Sequence, residues 1–293
     1  MNWTTFKKMI MIEQTLFGLP WAFVGAILPF YDVEFSSHFQ WSNWSLWVLI
    51  LLSFITARIA GMAFNRITDR HIDKANPRTK DRVLPSGEAS LLQVSLIGWG
   101  SLIAFIYFCS QINPVCAAFA PLMAFLLWAY AYTKRFTALC HFVMGLISAC
   151  APFFSWVAIT GEFALPPLFL GLSVLCSIAA NDVIYSLQDM EYDRVRGLHS
   201  IPVAIGGRSS VLLARCLHGA SFSMLAMAGF FLPFNPIFFS GVVFVGGVLV
   251  YCHRFVSLSE AKMLDKSFMM SNSLSAVVLM LFSIGGLFCQ ELF

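Results

Sequence analysis

Charge is what this sequence has least of. Lys, Arg, Asp and Glu make up 11% of its 293 residues, where soluble globular chains carry about 25%. So few charges cannot coat a water-facing surface of this size, which excludes a soluble globular protein. The net charge of +3 is too small to imply a nucleic-acid partner, and nothing in the pattern requires an obligate protein partner. Paired cysteines are missing too. Cys109, Cys116, Cys140, Cys150, Cys176, Cys216, Cys252 and Cys289 form no CxxC pair and fall almost entirely inside apolar runs, as small packing residues in a reduced setting do. No cleavable leader is evident either. The first long apolar run begins near Phe17, has Glu13 just ahead of it and shows no small-residue cleavage site, so it reads as a first spanning helix.

What the sequence does have is apolar length, with 59% hydrophobic and 15% aromatic residues. A bilayer core about 30 Å thick takes about 20 mostly apolar residues in a helix. Nine segments qualify: 12–31, 43–64, 90–110, 114–133, 138–160, 166–187, 209–231, 236–256 and 269–289. They are too long and too evenly apolar for barrel strands. The expected fold is an all-α polytopic transmembrane bundle of nine helices, with residues 1–293 as a single domain.

The connections between these segments alternate in charge. Lys7 and Lys8 precede the first span; Arg66, Arg70, Lys74, Arg78, Lys80 and Arg82 follow the second; Lys134 and Arg135 follow the fourth. Arg194, Arg196 and Arg208 follow the sixth, and Arg254, Lys262 and Lys266 the eighth. Arg58 and Arg215 lie within spans, nearest the same side. The odd-numbered connections carry only Asp32, Glu34 and Glu162, and Glu291 stands near the end. The positive-inside rule puts the N-terminus in the cytoplasm and the C-terminus outside, which requires an odd number of spans. The implied location is a bacterial-type cytoplasmic (inner) membrane. Two long polar connections, to about residue 87 and residue 207, lie on the cytoplasmic face, where long loops are usually functional.

The acids gather on those loops. Asn65, Asp69 and Asp73 follow at four-residue steps, which return to nearly the same helical face. Asp182, Asp189 and Asp193 follow at steps of seven and four, with Tyr185 on the same stripe. Like charges stacked this way destabilise a helix, so something must offset them. Mg²⁺ is typically held by a few carboxylates and by phosphate oxygens of a substrate, and two facing ladders make a site for a Mg²⁺-bridged diphosphate. The bland alternative is a pair of solvated helix ends paired with neighbouring arginines. Nearby cations include Arg78 and Arg82 after the first ladder, and Lys134 and Arg135 after Tyr130. Lys and Arg are the usual phosphate partners, although the positive-inside rule accounts for many of them. Arg58 lies seven residues before Asn65, on the ladder's face but deeper. It pairs with Glu13 or Asp69, or it binds a ligand carboxylate; a buried membrane arginine is a functional candidate by default.

At these residues the sequence resembles the UbiA-type membrane prenyltransferase superfamily. The resemblance rests on Asn65-x-x-x-Asp69-x-x-x-Asp73, on Asn76-Pro77-Arg78-Thr79-x-x-Arg82 with Leu84-Pro85, on Tyr130-x-x-x-Lys134-Arg135, and on Asp182-x-x-Tyr185-x-x-x-Asp189-x-x-x-Asp193. The Asn-Pro-Arg-Thr stretch and the Gly197–Pro202 tail look most like the 4-hydroxybenzoate polyprenyltransferase branch. The resemblance implies Mg²⁺-dependent transfer of a polyprenyl group from polyprenyl diphosphate to an aromatic acid, in membrane quinone (ubiquinone-type) synthesis, within membrane lipid. It implies that Asp69, Asp73, Asp189 and Asp193 hold metal with Asn65 assisting, and that Arg78, Arg82, Lys134 and Arg135 hold diphosphate. Asp69, Asp189 and Lys134 are then catalytic, and Arg58, Tyr130, Asp182 and Tyr185 surround the acceptor. Arg66 and Ala131 depart from residues that many relatives carry (Asp and Pro), at positions off the ladder face. A naphthoate-type acceptor in menaquinone synthesis is the alternative within the family. A secondary transporter and a prenyl-diphosphate storage protein are alternatives outside it, although the parallel repeat of the ladders favours the enzyme.

Overall fold

The computed structural model describes the backbone of residues 1–38, 43–256 and 261–289, and the side chains of these except residues 13–16, 38 and 261. The Glu13 side chain, weighed above as a partner of Arg58, and Glu291 lie outside the described set. All regular structure among the described residues is helical. Eight helices are long and apolar enough to cross a membrane, and Phe17–Tyr31 is a shorter apolar helix. The chain divides into two compact units.

The first unit comprises Met1–Leu16 and Ser42–Tyr132. Its helix α1 (Trp3–Ile10) is capped by the Asn2 side chain, which accepts the Thr5 N–H at 2.8 Å. Met9 and Ile10 are buried against Ala63, Val83, Ala89 and Val94, while Lys8 forms an ion pair with Glu88. Helix α4 (Trp44–Ala75) runs 32 residues, well past the apolar stretch 43–64. Nothing in the polar continuation breaks a helix until Pro77, and Asn76 before it is extended, as a residue preceding proline prefers. Helix α5 (Leu91–Ile112) opens on a reciprocal cap between Ser90 and Gln93. Helix α6 (Pro114–Ala129) opens on the Asn113 side chain, with Pro114 in the first turn, where its missing N–H costs nothing.

The second unit comprises Phe17–Trp41 and Thr133–Phe293. It holds the later part of α2 (Ile12–Ile27), a 3₁₀ turn at Leu28–Tyr31, α3 (Val33–His38), α7 (Cys140–Thr160), α8 (Leu165–Ser186), α9 (Met190–Val195) and α10 (Ile201–Ile205). Helices α11 (Gly207–Phe230), α12 (Pro236–Cys252) and α13 (Ala261–Phe288) complete it. Its main core gathers Trp21, Leu28, Tyr31, Leu170, Leu225 and Phe238, and the Tyr31 hydroxyl donates to the Ser283 carbonyl at 2.9 Å. All eight cysteines are free.

Helices α7 and α8 approach closely along a seam of small residues. A Cβ on Gly145 would stand 2.5 Å from the Leu175 carbonyl oxygen, so only glycine lets the backbones meet there. This seam sets α7 against α8 about two turns before the second acidic motif begins at Asp182. Gly145→Ala forces the helices apart, and such overpacking costs roughly 1–3 kcal/mol. Thermal unfolding of the purified variant in detergent should show a lower midpoint; an unchanged midpoint would mean that the seam is not held by this contact.

Candidate active site

In the first unit, α4 carries Asn65, Asp69 and Asp73 on successive turns. The Asn65 amide donates to Asp69 Oδ2 at 3.0 Å, tying the first two rungs. Asp73 is 3% exposed, and Arg82 Nη1 donates to its Oδ1 at 2.7 Å. The loop after α4 folds back to make that pair. The Asn76 side chain accepts the Arg78 N–H at 2.9 Å, and the Thr79 hydroxyl donates to the Asp73 carbonyl at 3.2 Å. The Asn-Pro-Arg-Thr motif is therefore a cap that turns the chain and returns Arg82 to the ladder. Arg78 itself is exposed.

Arg66 changes the reading of this end. It is 3% exposed, its Nη1 lies 3.4 Å from Asn65 Oδ1, and Asp69, Asp73, Arg82 and Tyr130 are its electrostatic neighbours. Although it leaves the helix away from the ladder stripe, its long side chain reaches back to the carboxylates. One turn or more deeper, Arg58 has Tyr130 as a neighbour, and the Tyr130 hydroxyl donates to the Gly61 carbonyl at 3.1 Å.

In the second unit the acidic motif is not one helical stripe. Helix α8 ends at Ser186, Leu187–Asp189 form a 3₁₀ turn, and α9 starts at Met190. A 3₁₀ turn holds 3.0 residues where an α-turn holds 3.6, so Asp189 and Asp193 are rotated off the face of Asp182 and Tyr185. The turn is pinned from α13, where Asp265 accepts the Gln188 amide at 2.7 Å. Tyr185 packs on Phe268 with ring centroids 4.7 Å apart.

This rotation sorts the acids into two places. Asp193 is 1% exposed, with its Oδ2 2.8 Å from Lys134 Nζ; Asp189 is the other acidic neighbour of that lysine. Lys134 sits in a 3₁₀ turn, Tyr130–Arg135, that also carries the partly buried Arg135. Its carbonyl accepts the His199 N–H at 2.8 Å, and the Leu198 N–H donates to the Asp193 carbonyl at 2.9 Å. Gly197, at φ +65°, makes the turn that allows both bonds. Asp182 pairs instead with the buried His141, whose Nδ1 lies 2.7 Å from Asp182 Oδ2.

Among the described residues no three His, Cys, Asp or Glu side chains stand close enough to hold a metal ion. The donor chemistry nevertheless suits a hard cation. Asp73 Oδ2 is buried with no hydrogen-bond partner among the described residues, and an unpaired buried carboxylate oxygen is costly unless something binds it. Carboxylate and amide oxygens are what Mg²⁺ takes.

The UbiA prenyltransferase family model matches residues 26–274. The chain belongs to the UbiA prenyltransferase family. It is 27% identical over 248 residues to the 4-hydroxybenzoate octaprenyltransferase of Methylobacillus flagellatus, covering 80% of this chain and 83% of that one. It is 30% identical over 204 residues to the 4-hydroxybenzoate octaprenyltransferase of Francisella tularensis subsp. novicida, covering 67% and 69%. A solved UbiA homologue from Aeropyrum pernix shares the fold with a TM-score of 0.81 at 24% identity, over 96% of this chain and 99% of that one. Another from Archaeoglobus fulgidus, solved with geranyl diphosphate and Mg²⁺, has a TM-score of 0.66 at 15% identity, over 97% and 99%.

Membership in a family of prenyltransferases makes the chain an enzyme and sets aside the transporter and storage readings. Two site features of this UbiA chain had escaped the motifs. Arg66 was placed off the ladder face, and an arginine buried beside two aspartates was the available signal. His141 stands in an apolar run, 41 residues from its partner, and carried no signal of its own.

Proposed function

We propose that this protein transfers a polyprenyl group from polyprenyl diphosphate to an aromatic acid of the 4-hydroxybenzoate type, with Mg²⁺, on the cytoplasmic face of a bacterial-type inner membrane. In this reading Phe17–Tyr31 adds a ninth crossing to the eight long helices, the N-terminus is cytoplasmic, and the chain works as one domain. The observation that carries it is the alternation of charge at both motifs. Arg82 is held on Asp73, and Lys134 on Asp193, which is the arrangement that a cation-bridged diphosphate needs on each side. The relatives named 4-hydroxybenzoate octaprenyltransferase support the acceptor class.

Asn65, Asp69, Asp73, Asp189 and Asp193 would hold Mg²⁺, which when bound neutralises diphosphate charge and favours its departure. Arg78, Arg82, Lys134 and Arg135 hold the diphosphate oxygens. As the allylic C–O bond breaks, negative charge grows on the leaving oxygen, and a fixed ammonium such as Lys134 is worth most at that moment. The allylic cation is attacked by the ring carbon ortho to the phenolic oxygen, and a base then takes up the ring proton. Arg58, with Tyr130 beside it, meets the acceptor's carboxylate, while Asp182 faces its hydroxyl. Tyr130 and Tyr185 offer ring faces to the cation.

The test is direct. Purified protein in lipid nanodiscs, given labelled geranyl diphosphate, Mg²⁺ and 4-hydroxybenzoate, should yield the 3-prenylated acid and yield none with EDTA. Product from a hydroxynaphthoate alone would reassign the acceptor, and product undiminished by EDTA would sink the metal requirement.

A further inference from the structure

His141 belongs to no acidic or basic motif, yet it is among the most buried polar side chains of the second unit, at 2% exposed. Both of its ring nitrogens are engaged. The Ile201 backbone N–H donates to Nε2 at 3.2 Å, and Nδ1 lies 2.7 Å from Asp182 Oδ2. The first bond fixes the second. A backbone amide is only a donor, so Nε2 must be the acceptor and Nδ1 must carry the proton. The imidazole is thus locked as an Nδ1–H donor aimed at Asp182.

Two local structures hold that lock. Ile201 is the first residue of α10, and the N–H groups of a helix's first turn have no intrahelical partner, so His141 takes up one of them. On the other side, the seam at Gly145 and Leu175 brings α7 against α8 one turn from His141 and two turns from Asp182. The Asp182 side chain is 30% exposed while that of His141 is 3% exposed. One carboxylate oxygen is therefore turned inward onto the histidine. Among the described residues that is the only hydrogen bond of the Asp182 side chain, and its Oδ1 is left for a ligand.

We propose that His141 is a positioning residue that orients Asp182, so that Asp182 Oδ1 accepts a hydrogen bond from the phenolic O–H of the aromatic acceptor. This rests on the acceptor role proposed above for Asp182. The couple is a specificity device for phenols. A site that presents a fixed, buried-side acceptor to a substrate hydroxyl discriminates strongly against an analogue lacking it, and the orienting partner sharpens that aim.

The experiment uses the full chain in nanodiscs with geranyl diphosphate and Mg²⁺, and it measures KM and kcat for 4-hydroxybenzoate together with inhibition by its methyl ether, 4-methoxybenzoate. Loss of a partner that orients a functional group typically costs about 10–100-fold. His141→Ala should lower kcat/KM for the acid by about that factor, leave KM for geranyl diphosphate unchanged, and erase the preference for the hydroxy acid over its methyl ether. His141→Asn, which offers an amide donor near the Nδ1 position but cannot take up a proton, should recover most of the loss. Ile201→Pro is the second variant. Proline suits the first position of a helix, and Ser200 before it is already extended at ψ 159°, so the backbone of α10 can keep its conformation while the donor to Nε2 is deleted. It should lower discrimination without touching geranyl diphosphate binding, and ring nitrogen shifts of ¹⁵N-histidine-labelled protein should show His141 losing its single tautomer. The inference is overturned if His141→Ala discriminates like the parent, if it weakens geranyl diphosphate equally, or if His141→Asn is as impaired as His141→Ala. A parent enzyme that turns over geranyl diphosphate but prenylates no phenolic acid would overturn the acceptor reading, and this one with it.

Discussion

Asp73→Ala should leave prenyl transfer about 10³-fold below the parent, the scale on which a preorganised charge partner is lost from a reacting centre. The expectation follows from the two oxygens of this carboxylate. Oδ1 is occupied by Arg82 at 2.7 Å, and Oδ2 is buried with no hydrogen-bond partner among the described residues. The first oxygen explains why Arg82 is where it is; the second is the one available to a cation. Folding should suffer little. The variant releases Arg82, whose side chain is 24% exposed and can turn toward water, and it also relieves the stacking of Asp73 on Asp69. Product formed from labelled geranyl diphosphate should fall while the thermal midpoint moves little. Asp73→Glu, which keeps the charge but moves it, should retain some turnover and need more Mg²⁺ for half-maximal rate. Activity of Asp73→Ala within tenfold of the parent would remove Asp73 from the metal site. Asp69→Ala and Asp189→Ala should behave alike, since each supplies a carboxylate next to a cation held by its own motif.

The first motif was legible because its periodicity is the periodicity of the helix that carries it. Asn65, Asp69 and Asp73 ride one uninterrupted helix, and a four-residue step survives folding unchanged. Eight of the nine expected spans were legible for the same reason: an apolar run long enough for a bilayer has few other fates. The second motif was not fully legible, because Leu187-Gln188-Asp189 contains no glycine or proline to announce a break. The turn there is tied by a bond from Gln188 to Asp265, 77 residues away, which no local pattern encodes. Arg66 was misjudged by treating a helical wheel as a map of side-chain ends. The wheel places Cα atoms, and an arginine spans enough distance to cross to the neighbouring face. His141 marks the limit of motif reading. Its role arises only where α7, α8 and the first turn of α10 come together, and each of those segments alone looks like packing.

Lys134→Met should cost both stability and turnover, and the two losses are separable. Asp193 is 1% exposed, so removing its lysine strands a buried carboxylate. Breaking one side of a buried pair typically costs 3–5 kcal/mol; because the Lys134 side chain keeps 30% exposure, about 2–3 kcal/mol is expected here, a fall of roughly 5 °C or more in thermal midpoint. Asp193→Leu is the milder single change, since the lysine it releases has solvent within reach. The double variant, Lys134→Met with Asp193→Leu, buries two apolar side chains where an ion pair stood, and such replacements are often neutral or stabilising. Its thermal midpoint should return to that of the parent. Its prenyl transfer should not, because the ammonium that meets the leaving diphosphate and the carboxylate opposite it are both gone, and loss of one such donor alone is worth about 10²–10³ in rate. A stable, inactive double variant therefore assigns the pair to chemistry. A double variant that regains turnover along with stability would make Lys134 and Asp193 a structural bridge, and the diphosphate would have to be held by Arg78, Arg82 and Arg135 without them.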